Sequence, residues 1–331
     1  MKVSELNSLF QSFSTFRILV IGDVMIDSYM WGKVERISPE APVPVVSIIK
    51  RENRLGGAAN VALNLRSLGA VPVICAAIGN DEKGIIFNEL CEQKGISTDG
   101  IITLHDRPTT VKTRIIGGNQ HLIRVDEEVD ISISESETKK LSERIFLLLN
   151  KENINAIVFE DYDKGVISQS LIQAVTKEAT LRNIPVCVDP KKRNFLSYEN
   201  VTLFKPNFRE LLEGLKLDIH KNDFDAIFKA VQYFHNTKNI KEVMVTLSEL
   251  GIFISNGNEF KTIPTQVRDV ADVSGAGDTV ISIATLCKAA GLNYIETAAI
   301  SNIAGGLVCE KVGVVPVEKQ ALLEACTKYF G

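Results

Sequence analysis

Residues 17–24 read RILVIGDV. An apolar run without polar alternation fits a strand buried on both faces, the pattern of a parallel sheet covered by helices on either side. The same character recurs in VPVICAAIG (71–79), NAIVFED (155–161), IPVCVDP (184–190), VTLFKPN (201–207) and EVMVTLS (242–248). Helix-period segments fall around them at 57–68, 82–94, 136–151, 168–182, 207–215 and 222–236. This alternation predicts a three-layer α/β/α sandwich with a mainly parallel central sheet. Ligands of such sheets bind beyond the carboxyl ends of the strands, and Asp23, Asp161 and Asp189 stand there.

Two regions break the rhythm. WGKVERISPEAPVPVVSIIK (31–50) and PTTVKTRIIGGNQHLIRV (108–125) are proline-marked or alternate like exposed strands. They are expected to pair as a small β-sheet flanking the main one, serving as a lid or a subunit contact. With no internal repeat or linker in view, residues 1–331 read as a single domain carrying that lid.

Lysine and arginine number 37 against 41 acids, a net charge of −4, so the basic excess of a nucleic-acid partner is absent. No run approaches the roughly 18 apolar residues that span a bilayer. The first apolar stretch, ILVIG, is too short for a secretory leader. Six cysteines, at 75, 91, 187, 287, 309 and 326, form no C-x-x-C pair and read as reduced thiols. Together these predict a cytoplasmic protein acting on small molecules.

The chemistry concentrates at DVSGAGDTV (272–280). Gly275 and Gly277 permit a tight turn, and the apolar segment after them reads as a buried helix ending near Gly291. Backbone amides of Gly275, Ala276 and Gly277 at a helix start make an anion site. Asp278 beside them is either an ordinary acid favoured by the helix dipole or a general base next to a phosphoryl group. A dinucleotide fingerprint would need glycine where Val280 stands, and no G-x-x-x-x-G-K-[ST] loop occurs.

DVSGAGDTV resembles the C-terminal signature of the ribokinase-like (PfkB) family of sugar kinases, and RLGGAANVALNLRSLG (54–69) is similar to its N-terminal one. The resemblance implies that Asp278 is the base on the acceptor hydroxyl and that the amides of Gly275, Ala276 and Gly277 form the anion hole. Asp23 and Asp27, with Gly56, Gly57 and Asn60, would hold the sugar. The alternatives are loop capping for the two aspartates and a helix-surface amide for Asn60. KPNFRE (205–210) matches the family's N-x-x-E element, which implies that Asn207 and Glu210 organise Mg²⁺ through water. The same pair also reads as a helix capping box. Thr246, Ser248 and Gly251 resemble the loop that binds ATP, although Ser248 stands where most members carry glycine. Asn302 would lie by the adenine or pack a helix. Asp272 is placed where the family often binds a monovalent cation, K⁺.

SPEAPVPV (38–45), the S-E-x-G form of the nucleotide loop, NQHLIRVD (119–126), DYDKG (161–165) and DPK (189–191) resemble one branch of the family. That branch phosphorylates the anomeric hydroxyl of D-glycero-β-D-manno-heptose 7-phosphate on the way to ADP-heptose and lipopolysaccharide. The resemblance implies ATP and Mg²⁺ as cofactors and a homodimer joined through the lid strands. It also implies a separate partner enzyme, since many members carry a fused nucleotidyltransferase domain. A phosphorylated sugar needs cations at its far end, and Lys164, Lys191 and Arg124 are the candidates. Rival readings are a kinase of another sugar or a nucleoside, a catalytically silent nucleotide-binding regulator, and, least, an oxidoreductase.

Overall fold

The computed structural model describes residues 1–118, 120–266 and 270–331; Asn119, the first residue of NQHLIRVD, lies outside the described residues. Its strands are β1 (Arg17–Gly22), β2 (Val24–Ile37), β3 (Pro44–Gly57), β4 (Val71–Cys75), β5 (Ala77–Gly79), β6 (Ile102–Leu104), β7 (Val111–Gly117), β8 (Gln120–Glu127), β9 (Ala156–Glu160), β10 (Val186–Asp189), β11 (Leu203–Phe204), β12 (Glu242–Thr246), β13 (Ile252–Ser255) and β14 (Phe260–Ile263). The helices are α1 (Val3–Ser12), α2 (Ala58–Ser67), α3 (Glu82–Gln93), α4 (Glu135–Lys151), α5 (Gln169–Leu181), α6 (Phe208–Leu215), α7 (Phe224–Lys238), α8 (Ala276–Ala289), α9 (Tyr294–Cys309) and α10 (Lys319–Phe330).

The main sheet has the order β14-β13-β12-β11-β10-β9-β1-β4. It is parallel from β4 to β12, and β13 and β14 add an antiparallel edge. Alternation along β1 divides the core. Ile18 and Val20 face α1, α2, α3, α8, α9 and α10, while Leu19 and Ile21 face α4, α5, α6 and α7. All four are completely buried, each worth about 1.5–3 kcal/mol over an exposed position. The three-layer expectation holds. The expected strand 71–79 is interrupted at Ala76, and its second half joins β6 in a separate two-stranded sheet.

From β1 the chain reaches β4 on one side, and β9 pairs on the other. Successive connections therefore diverge at β1 and β9, and a crevice opens beyond their carboxyl ends. Asp23 follows β1 there, and the 161–166 turn follows β9.

A second sheet, β3-β2-β7-β8, forms from the two regions that broke the rhythm. It is longer than expected: β2 begins at Val24, directly after Asp23, and β3 runs to Gly57. One face of this lid carries Asp27, Tyr29, Arg54, Lys112, Arg114 and Arg124 in register. Arg54 comes beside Gly313, whose amide is bonded to Asp272, so this face fronts the loop that leads into α8. The opposite face exposes Ile49, Ile123 and Val125, at 67%, 57% and 45%. The cysteines are free thiols, and all but Cys309 are buried. Among the described residues no helix is long and apolar enough to cross a membrane.

The passage from lid to α2 depends on Gly57. It caps α2 with φ 61° and ψ −136°, and a Cβ there would lie 2.4 Å from the carbonyl oxygen of Asp23. The Ala58 amide donates to that same oxygen at 2.9 Å. Gly57→Ala should lower unfolding stability by about 1–3 kcal/mol, read as an earlier urea midpoint; an unchanged midpoint would mean that the junction can relax.

Candidate active site

Helix α8 starts at a left-handed Gly275, φ 79°, where a Cβ would come within 3.1 Å of Asn60 Nδ2. Ala276 donates to the Val273 carbonyl at 3.3 Å. The amides of Gly275 and Gly277 donate to no carbonyl among the described residues. A Cβ on Gly277 would find Lys205 Nζ and Asp189 Oδ2 as its nearest neighbours, at 3.8 and 3.9 Å.

Asp278 follows in the first turn and is 7% exposed. Asn60 Nδ2 donates to its Oδ2 at 2.7 Å, and the Tyr162 hydroxyl donates to its Oδ1 at 2.8 Å. Burial pushes the carboxyl up to about 6, opposed by those two donors and reinforced by Asp189. Asn60 is itself fixed: Asn64 Nδ2 donates to its carbonyl, and Asn64 Oδ1 takes the Thr279 hydroxyl and the Val317 amide.

Asp278 shares its surroundings with two further carboxylates. Oxygens of Glu160, Asp189 and Asp278 all lie within 4.8 Å of one another. The buried Lys205 pairs with Asp189 Oδ2 at 2.7 Å. Glu160 Oε2 and Asp189 Oδ1 are buried without a hydrogen-bond partner among the described residues. Burial, then Asp189 and Asp278, hold the Glu160 carboxyl well above its ordinary value.

The remaining expected residues fall into separate groups. Asp23 gives both oxygens to backbone amides, Oδ2 to Tyr162 and Lys164 and Oδ1 to Val166, each at 3.0 Å; it shapes the loop after β9 rather than opening toward a sugar. Asp27 pairs with Arg114. Gly56 makes room for it, since a Cβ there would meet Asp27 Oδ2 at 2.4 Å. Lys164 pairs with Glu128, which Lys112 also approaches. Lys191 lies elsewhere, bonded to Glu210 and 5.6 Å from the centroid of the Tyr162 ring. Burial works against its charge, but Asp189 and Glu210 outweigh it and hold the ammonium above its usual value. The two lysines thus do not converge on one anion. Arg124 is 56% exposed and pairs with Asp126.

Asn207 and Glu210 form a capping box on α6, with each side chain accepting the other's amide at 2.8 Å. Asn207 is bridged to Thr246 at the end of β12. Ser248 sits in the left-handed region, φ 54°, which explains in backbone terms why glycine suits that position. Gly251, φ 89°, turns so tightly that a Cβ would meet the Ile263 carbonyl oxygen at 2.0 Å. Asn302 donates to the carbonyls of Ile263 and Pro264. Asp272 takes the amides of Ser274 and Gly313, both at 2.9 Å.

A family model for pfkB family carbohydrate kinases matches residues 15–320. The chain belongs to this family. It is 37% identical over 321 residues to the bifunctional protein HldE of Pelobacter propionicus, covering 97% of this chain and 65% of that protein. Against HldE of Methylobacillus flagellatus it is 41% identical over 305 residues, covering 92% and 62%. The chain therefore spans roughly two thirds of the length of these relatives. Phosphofructokinase-2 from Escherichia coli, solved in complex with fructose-6-phosphate, superposes with a TM-score of 0.76 at 19% identity over 95% of this chain and 98% of that one. Ribokinase from Arabidopsis thaliana, complexed with ribose and ATP, gives 0.69 at 18% identity over 94% and 98%. These two share the fold. By family the chain is an enzyme, a carbohydrate kinase.

Tyr162, Glu160, Lys205 and Arg114 join the site without having been singled out in the sequence. Glu160 and Asp161 are neighbours at a strand end, so their side chains take opposite faces. Asp161 turns to Asn194 and Tyr198, which leaves Glu160 for the α8 side. For a pfkB kinase the relevant metal is Mg²⁺, which prefers hard oxygen ligands. The orphaned oxygens of Glu160 and Asp189 fit it better than Glu210, whose carboxylate already accepts from Asn207 and Lys191. In metal-free protein, carboxyl-selective ¹³C NMR should find Asp278 titrating near 6, and Mg²⁺ should move that midpoint down by favouring the ionised form. A metal-free midpoint near the ordinary value of about 3.9 would mean that the side chain faces water.

Proposed function

We propose that this chain transfers the γ-phosphoryl group of ATP to the anomeric hydroxyl of D-glycero-β-D-manno-heptose 7-phosphate, giving the 1,7-bisphosphate. The observation that carries the reading is the buried Asp278 carboxylate at the start of α8, beside amides with no carbonyl partner among the described residues. The choice of sugar rests on the branch-specific segments and on the likeness to HldE proteins. Residues 1–331 are read as one kinase domain with its lid.

Transfer is in line. The sugar oxygen bonds to phosphorus as the bond from phosphorus to the ADP oxygen breaks, and the hydroxyl proton passes to Asp278. The amides of Gly275 and Gly277 hold the equatorial oxygens, where charge is held through the transfer; the expected third donor, Ala276, already gives its amide to the Val273 carbonyl. Asp27 and Asn60 bind sugar hydroxyls along the glycine pair 56–57. Asp23 acts one step back, by fixing the 162–166 turn. Lys164, Lys112 and Arg114 are the cations that suit the 7-phosphate, while Lys191 serves the nucleotide side with Thr246, Ser248, Gly251 and Asn302. Mg²⁺ brought with ATP neutralises phosphate charge; Glu160 and Asp189 would hold it, with Asn207 and Glu210 reached through water. Asp272 gives both oxygens to backbone amides, and no step is assigned to K⁺.

ADP release should be fastest with the heptose 7-phosphate among that sugar, fructose phosphates, ribose and adenosine. Asp278→Asn should lower kcat by about 10²–10⁴ if the carboxylate is the base. A folded Asp278→Asn protein with near-normal turnover, or a faster unphosphorylated substrate, would overturn the reading.

We also propose that two copies pair through the outward lid face around Ile49, Ile123 and Val125, an apolar area that a soluble monomer rarely leaves open. Light scattering should give twice the chain mass for the wild type and the monomer mass for Ile123→Glu. A monomeric wild type would remove the pairing.

A further inference from the structure

Both oxygens of Asp278 already carry a protein donor, and the two donors differ in kind. Asn60 is 1% exposed and sits inside α2, where its backbone carbonyl accepts from Asn64 Nδ2. Tyr162 is half-buried, on the turn after β9. Its backbone amide is tied to Asp23, but its hydroxyl makes the single bond to Asp278 Oδ1, at 2.8 Å. One donor belongs to a buried helix and the other to a partly exposed turn. A base that must accept a sugar proton needs an oxygen open to the acceptor, and any opening that admits a sugar hydroxyl also admits water.

We propose that Tyr162 is a placeholder on the transfer base: its hydroxyl stands where the acceptor hydroxyl must bind, denies Asp278 to water while the sugar site is empty, and yields when the sugar enters. This rests on the reading of Asp278 as the base. The reaction it suppresses is ATP hydrolysis. In that reaction a water oxygen bonds to the γ-phosphorus, the bond to the ADP oxygen breaks, the water proton goes to Asp278, and ADP and inorganic phosphate leave. Excluding water from reactive groups is a recognised service of closed sites. Here it is achieved by a side chain already in contact with the base. Lys191, 5.6 Å from the Tyr162 ring centroid, puts a cation beside the same ring.

The test is the ratio of two rates. Tyr162→Phe keeps the ring and removes the donor. Sugar-free MgATP hydrolysis should rise about tenfold, a part of the roughly 10²–10⁴ that an aligned base contributes. The KM for ATP should stay unchanged, and transfer to the sugar phosphate should stay within a few-fold. Adding Asp278→Asn to Tyr162→Phe should return hydrolysis to the wild-type level. A folded Tyr162→Phe protein in which hydrolysis stays flat, or falls in step with transfer, would overturn the placeholder and leave Tyr162 a packing residue. If Tyr162→Phe melts early, Tyr162→Leu keeps the backbone bond to Asp23 and is read in the same way. Asp278→Asn alone separates the two levels: retained transfer sinks the base assignment itself, whereas lost transfer with flat hydrolysis in Tyr162→Phe sinks the placeholder alone.

Discussion

A carboxylate held out of water is the constraint that the rest of this site answers. Asp278 is nearly inaccessible, and an isolated buried charge would cost several kcal/mol or neutralise itself. The molecule surrounds it with partners drawn from two parts of the chain: Asn60 from α2 and Tyr162 from the turn after β9. Each partner needs a further group to fix it. Asn64 donates to the backbone carbonyl of Asn60, and Asp23 accepts from the backbone amide of Tyr162. The crevice beyond β1 and β9 is thus a small scaffold around one buried acid.

That scaffold explains why the lid is continuous with the main sheet rather than appended to it. β2 leaves the carboxyl end of β1 within two residues, and β3 returns through Gly57 straight into α2, which carries Asn60. The glycine pair does two different jobs. Gly56 makes space for Asp27, and Gly57 lets the chain turn over the Asp23 carbonyl.

The central strands were legible because burial on both faces leaves only one workable composition, a run of apolar residues such as ILVI at 18–21. The edge hairpin β13–β14 was not read, although Asn256-Gly257 between its strands is a strong turn signal. Nor was α1, whose Leu6, Leu9 and Phe10 fall at helical spacing on one buried face. Within the site, the loop residues were legible from their glycines and acids. What escaped was whatever depends on which way a strand-end side chain points. Glu160 and Tyr162 flank Asp161 in sequence, yet they reach the α8 cluster while Asp161 faces Asn194 and Tyr198. Lys164 and Lys191 looked alike as strand-end cations, but different carboxylates draw them apart. A one-residue change of direction decides such cases, and composition carries no record of it.

The charge balance around Asp278 has a consequence for the order of events. Three carboxylates within 4.8 Å of one another face the single buried ammonium of Lys205, with Lys191 shared by Glu210 at the edge. Burial, and then the repulsion of Asp189 and Asp278 in a poorly screened interior, hold the Glu160 carboxyl well above its ordinary value. Bringing a polyanionic nucleotide to this place without further positive charge would add repulsion to repulsion. The orphaned oxygens of Glu160 and Asp189 are hard donors of the kind that a cation carried by phosphates would take. The cluster is thus divided between carboxylates with unshared lone pairs, Glu160 and Asp189, and an acid with both oxygens engaged by hydrogen-bond donors, Asp278.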